Sequence, residues 1–187
     1  MKIHVPRVTE ILEFYSGVGR IPRDTLEKAA LRGTNVHTIC ADIALGNWVS
    51  LGDEYRGYIQ SFKQWFQTIQ GCVLVEKRFT GHVKGKEDPY SGQIDYLVMD
   101  GAGKLAIADL KTAQTHRRTY PVQMAAYRHL LAGESYHVDK CTLVFLSRTG
   151  DAPTVIEYTD LTEEWDVFTH AYQCYKYFKC RHTEEPV

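Results

Sequence analysis

Asp95, Asp109 and Lys111 have the residue types and spacing of a site that holds a cation, and they fall within one stretch, Ser91 to Ala113, reading SGQIDYLVMDGAGKLAIADLKTA. The stretch predicts a β-hairpin: an alternating run from Gln93 to Met99, a tight turn through Asp100-Gly101-Ala102-Gly103, and a second alternating run from Lys104 to Lys111. Successive side chains of a strand point to opposite faces, so Gln93, Asp95, Leu97 and Met99 share one face, and Leu105, Ile107, Asp109 and Lys111 share one face of the partner. Leu105 and Ile107 read as core. The same side of the strand then ends in a carboxylate and an ammonium roughly 7 Å apart, two residues at about 3.3 Å each. Hairpin pairing can bring Asp95 and Asp109 to the same end of the sheet. Clustered carboxylates repel unless something positive lies between them, and a divalent cation is the usual answer.

Other elements must hold this hairpin in place. Val5-Pro6-Arg7 reads as an extended lead-in to a short helix capped by Thr9, ended near Gly17 and Gly19. From Asp24 to Gly46 the pattern is helical and contains His37; Gly33 predicts either a break into two helices or close packing of a neighbouring backbone, the break being favoured. Asp53 to Gln70 predicts a helix with a wide aromatic face, and Cys72 to Phe79 a first strand on which Glu76 reads either as an acid behind the cation site or as an edge-strand charge, the second being favoured. After a polar turn from Gly81 to Tyr90 and the hairpin, Thr119 to Ala132 predicts a helix with Thr119 as N-cap and Pro121 in its first turn. Gln123 and Tyr127, four apart, project from one face of it. Cys141 to Leu146 and Pro153 to Tyr158 read as strands around the turn Arg148 to Asp151, Leu161 to Lys179 as a closing amphipathic helix, and Arg181 to Val187 as a loose tail. This order predicts an α/β fold with a mixed central β-sheet flanked by helices.

The 187 residues suit one domain, residues 1–187, with no linker or repeat asking for two. The formal net charge of −1 gives no bulk signal for nucleic acid, so any groove must come from local clusters, for which Lys84-Gly85-Lys86 and His116-Arg117-Arg118 are the candidates. No apolar h-region or membrane span is visible, and the expectation is a soluble cytoplasmic protein, in a host cell if viral. Cys40, Cys72, Cys141, Cys174 and Cys180 are odd in number and scattered, which suits free thiols.

The order Gly92-Gln93-Ile94-Asp95, then Asp109-Leu110-Lys111, resembles the PD-(D/E)XK nuclease superfamily, whose hallmark is an acid on one strand and acid-x-lysine on the next. Gln123 to Tyr127 resembles the Q-x-x-x-Y signature of its RecB-like exonuclease branch, and Arg32-Gly33-Thr34-Asn35-Val36-His37 resembles the R-G-x-x-x-H stretch of that branch. The chain is thus similar to phage-type and mitochondrial genome-maintenance exonucleases. The resemblance implies a restriction-endonuclease-like core and a metal-dependent DNA exonuclease of recombination, repair or replication. It implies Mg²⁺ or Mn²⁺ held by His37, Asp95, Asp109 and the carbonyl of Leu110, Lys111 orienting the attacking water, and Gln123 and Tyr127 positioning the strand. The implied partners are single-stranded or duplex DNA with a free end and a recombination or replication protein. The iron–sulfur cluster of some relatives is not expected, since the late pair Cys174 and Cys180 lacks a C-x-x-C. A structure-specific or restriction-like endonuclease and a non-catalytic DNA-binding module are the alternatives. A histidine with a pKa near 6.5 is expected to be largely neutral at pH 7.

Overall fold

The computed structural model describes residues 4–17, 19, 21–50, 52–83 and 88–180. The basic cluster Lys84-Gly85-Lys86 and the tail 181–187 lie outside the described residues. A five-stranded sheet of order β1-β2-β3-β4-β5 is built from β1 (Ile69–His82), β2 (Pro89–Asp100), β3 (Leu105–Lys111), β4 (Lys140–Phe145) and β5 (Thr154–Tyr158). All neighbours pair antiparallel except β3 and β4, which are parallel and joined through helix α4 (Thr119–Gly133). The fold is the expected mixed sheet with helices on both faces.

Each face has its own core. On one, α1 (Val8–Leu12), α4 and α5 (Thr162–Tyr175) bury Ile11, Met124, Leu131 and Phe168 against Leu97, Ile107 and Leu143. On the other, α2 (Arg23–Ala44) and α3 (Arg56–Phe66) bury Val36, Cys40, Ile59 and Phe62 against Tyr96, Ala106, Ala108 and Val144. The small side chains Ala106 and Ala108 let the second layer sit close. The strongly aromatic face expected between Asp53 and Gln70 is therefore core, with Phe62, Trp65, Phe66 and Tyr96 in mutual ring contact.

Several boundaries differ from the sequence reading. Helix α2 runs unbroken for 22 residues through Gly33. A glycine costs about 1 kcal/mol in a helix interior, which the burial of Val36, Cys40 and Ala41 downstream outweighs. Ile69 and Gln70 begin β1 rather than ending a helix, which makes β1 fourteen residues long. Thr9 and Thr119 are not caps: Arg7 and Arg118 hold those positions, without side-chain cap hydrogen bonds. The closing helix ends at Tyr175 and widens into a π turn over Lys176–Cys180.

The β1–β2 ribbon positions the site. Its ladder shifts register twice, between Ile69 and Gly71 and between Cys72 and Leu74. Beyond those bulges Val75 pairs with Tyr96 and Lys77 with Ile94, leaving Glu76 across from Asp95. There Glu76 takes φ +49°, the left-handed region. The ribbon also changes sides at this point: Tyr90 and Ile94 pack with the α4 and α5 core, whereas Tyr96 and Val98, of the same parity, pack with the α2 and α3 core. The expected unbroken alternation from Gln93 to Met99 is thus interrupted where the acids lie. A bulged, strongly twisted strand re-aims a side chain in this way.

Candidate active site

The β2–β3 pairing runs from Met99↔Leu105 to Tyr96↔Ala108 and ends there. In the next position the backbone N–H of Leu110 donates to Asp95 Oδ2 at 2.8 Å instead of to a main-chain carbonyl. The strands splay, and the space between them opens into a cleft of about 590 Å³ lined by Asp95, Asp109, Lys111, His37, Glu76, Gln123 and Tyr127 among others. Helix α2 forms one wall with Gly33, Thr34, His37, Thr38, Ala41 and Asp42. The nearest atom to a Cβ placed on Gly33 would be Thr112 Oγ1 at 3.8 Å, so this glycine keeps the wall low rather than admitting a neighbouring backbone.

His37 reaches across from α2. Its Nε2 lies 3.0 Å from the Leu110 carbonyl oxygen, and its Nδ1 lies 3.3 Å from Asp95 Oδ2 and 3.7 Å from Glu76 Oε1. Burial opposes a charge on this ring, but the carboxylates of Asp95 and Glu76 outweigh it and raise the pKa well above the usual imidazole value. Against the expectation of a largely neutral His37, these carboxylates favour the protonated ring. Asp95 responds in the opposite sense: burial alone would raise its pKa, and the charge of His37 brings it below the usual value.

Asp109 has a different environment. It is 3 % exposed, and burial pushes its pKa up to about 6, with Lys111 pulling it down and Asp95 adding to the rise. Lys111 Nζ lies 2.5 Å from Asp109 Oδ2 and 4.5 Å from the centre of the Tyr120 ring. Burial would strip its proton, and Asp109 outweighs that and raises its pKa. Gln123 then ties the helix to this pair: its Nε2 donates to Asp109 Oδ1 at 3.2 Å and to the Tyr127 hydroxyl at 2.8 Å, and its Oε1 faces Lys111 Nζ at 3.4 Å. The glycine before Asp95 has a steric reason here. A Cβ on Gly92 would lie 2.6 Å from Tyr127 Cε1 and 2.8 Å from Leu130 Cδ1.

The structure thus brings His37, Asp95, Asp109, Lys111, Gln123 and Tyr127 to one cleft, with the Leu110 carbonyl held at His37, in two subgroups. His37, Asp95 and the Leu110 carbonyl form one, and Asp109, Lys111, Gln123 and Tyr127 the other. Of the two readings of Glu76, the edge charge fails and the place beside the acids holds: His37, Glu76 and Asp95 each offer a ligand atom within 4.8 Å of the others. Gln93 donates to Glu76 Oε2, while Glu76 Oε1 is buried with no hydrogen-bond partner among the described residues. An orphaned carboxylate oxygen beside an imidazole and a second carboxylate is a donor set suited to a divalent cation. The only advance signal for Glu76 is its register opposite Asp95, and that depends on bulges that the pattern does not display. His116, Arg117 and Arg118 lie outside this cleft lining, in the loop entering α4.

The model of the PD-(D/E)XK nuclease superfamily matches residues 11–176, and the chain belongs to that superfamily. It is a nuclease by family, and such nucleases generally use divalent metal ions on a nucleic acid substrate. A solved structure from Eubacterium rectale, provisionally described as an exonuclease, shares the fold with a TM-score of 0.60 and 13% identity over 98% of this chain and 89% of its own. A second solved structure, SSO0001, aligns at 16% identity and a TM-score of 0.41 over 57% of this chain and only 50% of that protein's length, and carries no argument. No curated protein matches the chain. Among the described residues, no helix is long and apolar enough to cross a membrane.

Proposed function

We propose that residues 1–187 form one nuclease domain that acts as a divalent-metal-dependent DNA exonuclease in recombination, repair or replication. The observation that carries this reading is the splayed end of β2 and β3, where three carboxylates, an imidazole, a main-chain carbonyl and a lysine converge in one cleft. His37, Glu76, Asp95, Asp109 and the carbonyl of Leu110 would hold Mg²⁺ or Mn²⁺. When bound, such a cation supplies Lewis-acid polarisation of the scissile phosphate and a lowered pKa for water.

The remaining chemistry belongs to the protein's own side chains. Lys111, kept charged by Asp109, orients the attacking water and offsets negative charge gathering on the phosphoryl oxygens. Gln123 holds Asp109 and Tyr127 in register with that pair, so the helix α4 sets the direction in which Lys111 points. His37 must give up its extra proton before either ring nitrogen can serve as a ligand, which couples metal uptake to proton release. The described exonuclease from Eubacterium rectale, similar over nearly the whole chain, favours the exonuclease over an endonuclease.

End-labelled linear DNA and a covalently closed circle, incubated with Mg²⁺ or Mn²⁺ or with chelator, test the proposal. Metal-dependent loss of the linear substrate with survival of the circle is expected. Cutting of the circle would make the protein an endonuclease, and absence of cleavage of single-stranded, duplex and RNA substrates would leave a binding module of the same fold.

A further inference from the structure

The cleft has a second charged feature besides the acids: Arg7 and Arg78 both line it. Arg78 lies on β1 opposite Gln93. Its Nη2 donates to Gln93 Oε1 at 2.9 Å, and the amide nitrogen of Gln93 donates to Glu76. The guanidinium is held by a neutral group that leaves its charge intact. Arg7 approaches from the other side of β2. Beyond the end of β3, the Ser91 N–H donates to the Pro6 carbonyl at 2.9 Å and Arg7 bridges to Ser91 in parallel, so the lead-in segment takes the position that β3 has vacated.

Along β2, Ser91 and Gln93, the strand partners of Arg7 and Arg78, lie about 13 and 7 Å from Asp95 at about 3.3 Å per residue. Among the described residues, no carboxylate lies within 4.0 Å of either guanidinium, whereas Arg23 pairs with Glu27 and Arg56 with Asp53. The cleft is therefore acidic at the splay and cationic toward Ser91. An internal phosphodiester carries one charge, and a terminal phosphate monoester carries about −1.5 to −2 near pH 7. Two uncompensated guanidinium forks match the monoester, which each can bind through paired N–H···O contacts.

We infer that Arg7 and Arg78 form a clamp for a terminal phosphate of the substrate strand, a deduction that rests on the nuclease reading of the same cleft. The clamp gives the enzyme a means of recognising an end. Its test is the fluorescence anisotropy of one labelled oligonucleotide sequence carrying a 5′-phosphate, a 3′-phosphate or hydroxyls only, measured in chelator, so that binding is read without cleavage. The wild-type protein should bind one phosphorylated form about tenfold more tightly than the hydroxyl form, in the range of charge-assisted hydrogen bonds. In Arg7→Gln and Arg78→Gln that ratio should fall toward one, and Arg78→Lys should keep part of it, which loss of a merely structural contact would not produce. A wild-type ratio of one, a ratio retained in both glutamine variants, or no oligonucleotide binding at all overturns the clamp. A parallel cleavage assay with Mn²⁺ separates the two ideas: cleavage without phosphate preference removes the clamp alone, and phosphate preference without cleavage removes the nuclease reading alone.

Discussion

The two ends of the β2–β3 hairpin place the same residue type in opposite environments. At the turn, Asp100 accepts from the backbone N–H groups of Ala102 and Lys104, each at 2.9 Å, and pairs with Lys140 Nζ at 2.8 Å. The hydrogen bond from Lys140 and those from the turn hold its pKa down at about 2. At the open end, Asp109 is buried and its pKa rises to about 6. Across the ribbon Glu76 is held at positive φ with an oxygen that has no hydrogen-bond partner among the described residues. A left-handed non-glycine residue costs on the order of 1–2 kcal/mol. Turn amides and Lys140 hold Asp100 in the solvent-side loop, whereas Asp109 is buried beside Lys111 and Gln123 and Glu76 keeps one oxygen without a hydrogen bond among the described residues.

Substitutions that act on one end only can break or sharpen this contrast, and the largest effect belongs to the open end. Lys111→Ala should lower cleavage about a hundredfold, the loss of roughly 3 kcal/mol of transition-state stabilisation, while Asp109→Ala should abolish it; single-turnover rates on labelled DNA measure both. Wild-type rates in both variants would place the chemistry elsewhere. Glu76→Gln keeps the size and removes the charge, so Mn²⁺ affinity should drop about tenfold in a calorimetric titration. An unchanged affinity would return Glu76 to the role of an edge charge.

Gly92→Ala forces a methyl into the Tyr127 ring and Leu130. Overpacking of this kind costs about 1–3 kcal/mol, which should appear as a lower Tm together with weaker cleavage, because Tyr127 supports Gln123. The smallest effect lies at the turn. The pKa of Asp100 is depressed from 3.8 to about 2 in the folded protein, so its stabilising contribution is complete above about pH 4 and is lost as pH falls toward 2. Asp100→Asn should therefore melt below wild type at pH 6, with the difference vanishing near pH 2 and cleavage at neutral pH retained. A difference that grows on acidification would contradict the assignment.

Much of this was legible in the chain itself. The hairpin, the acid and acid-x-lysine spacing and the pair Gln123 and Tyr127 are local patterns, and local patterns fix both strand faces and helix faces. Glu76 was left undecided between the site and the sheet edge, because its position depends on two bulges in β1 and on a pairing with Asp95, neither of which leaves a periodic trace. The continuity of α2 through Gly33 was misread for a related reason: burial supplied by α3 and the sheet overrides a local propensity. The charge of His37 likewise depends on Asp95 and Glu76, from distant strands, and no model-compound value contains them.

Isothermal titration of Mn²⁺ into the wild-type protein, Lys111→Ala and Asp109→Ala tests most directly whether the open end of the hairpin is a metal-dependent active site. Wild type and Lys111→Ala should bind the cation, the variant as tightly or slightly more so with a neighbouring positive charge removed, and Asp109→Ala should show no saturable binding. Equal binding by all three proteins, or none by the wild type, would contradict the account.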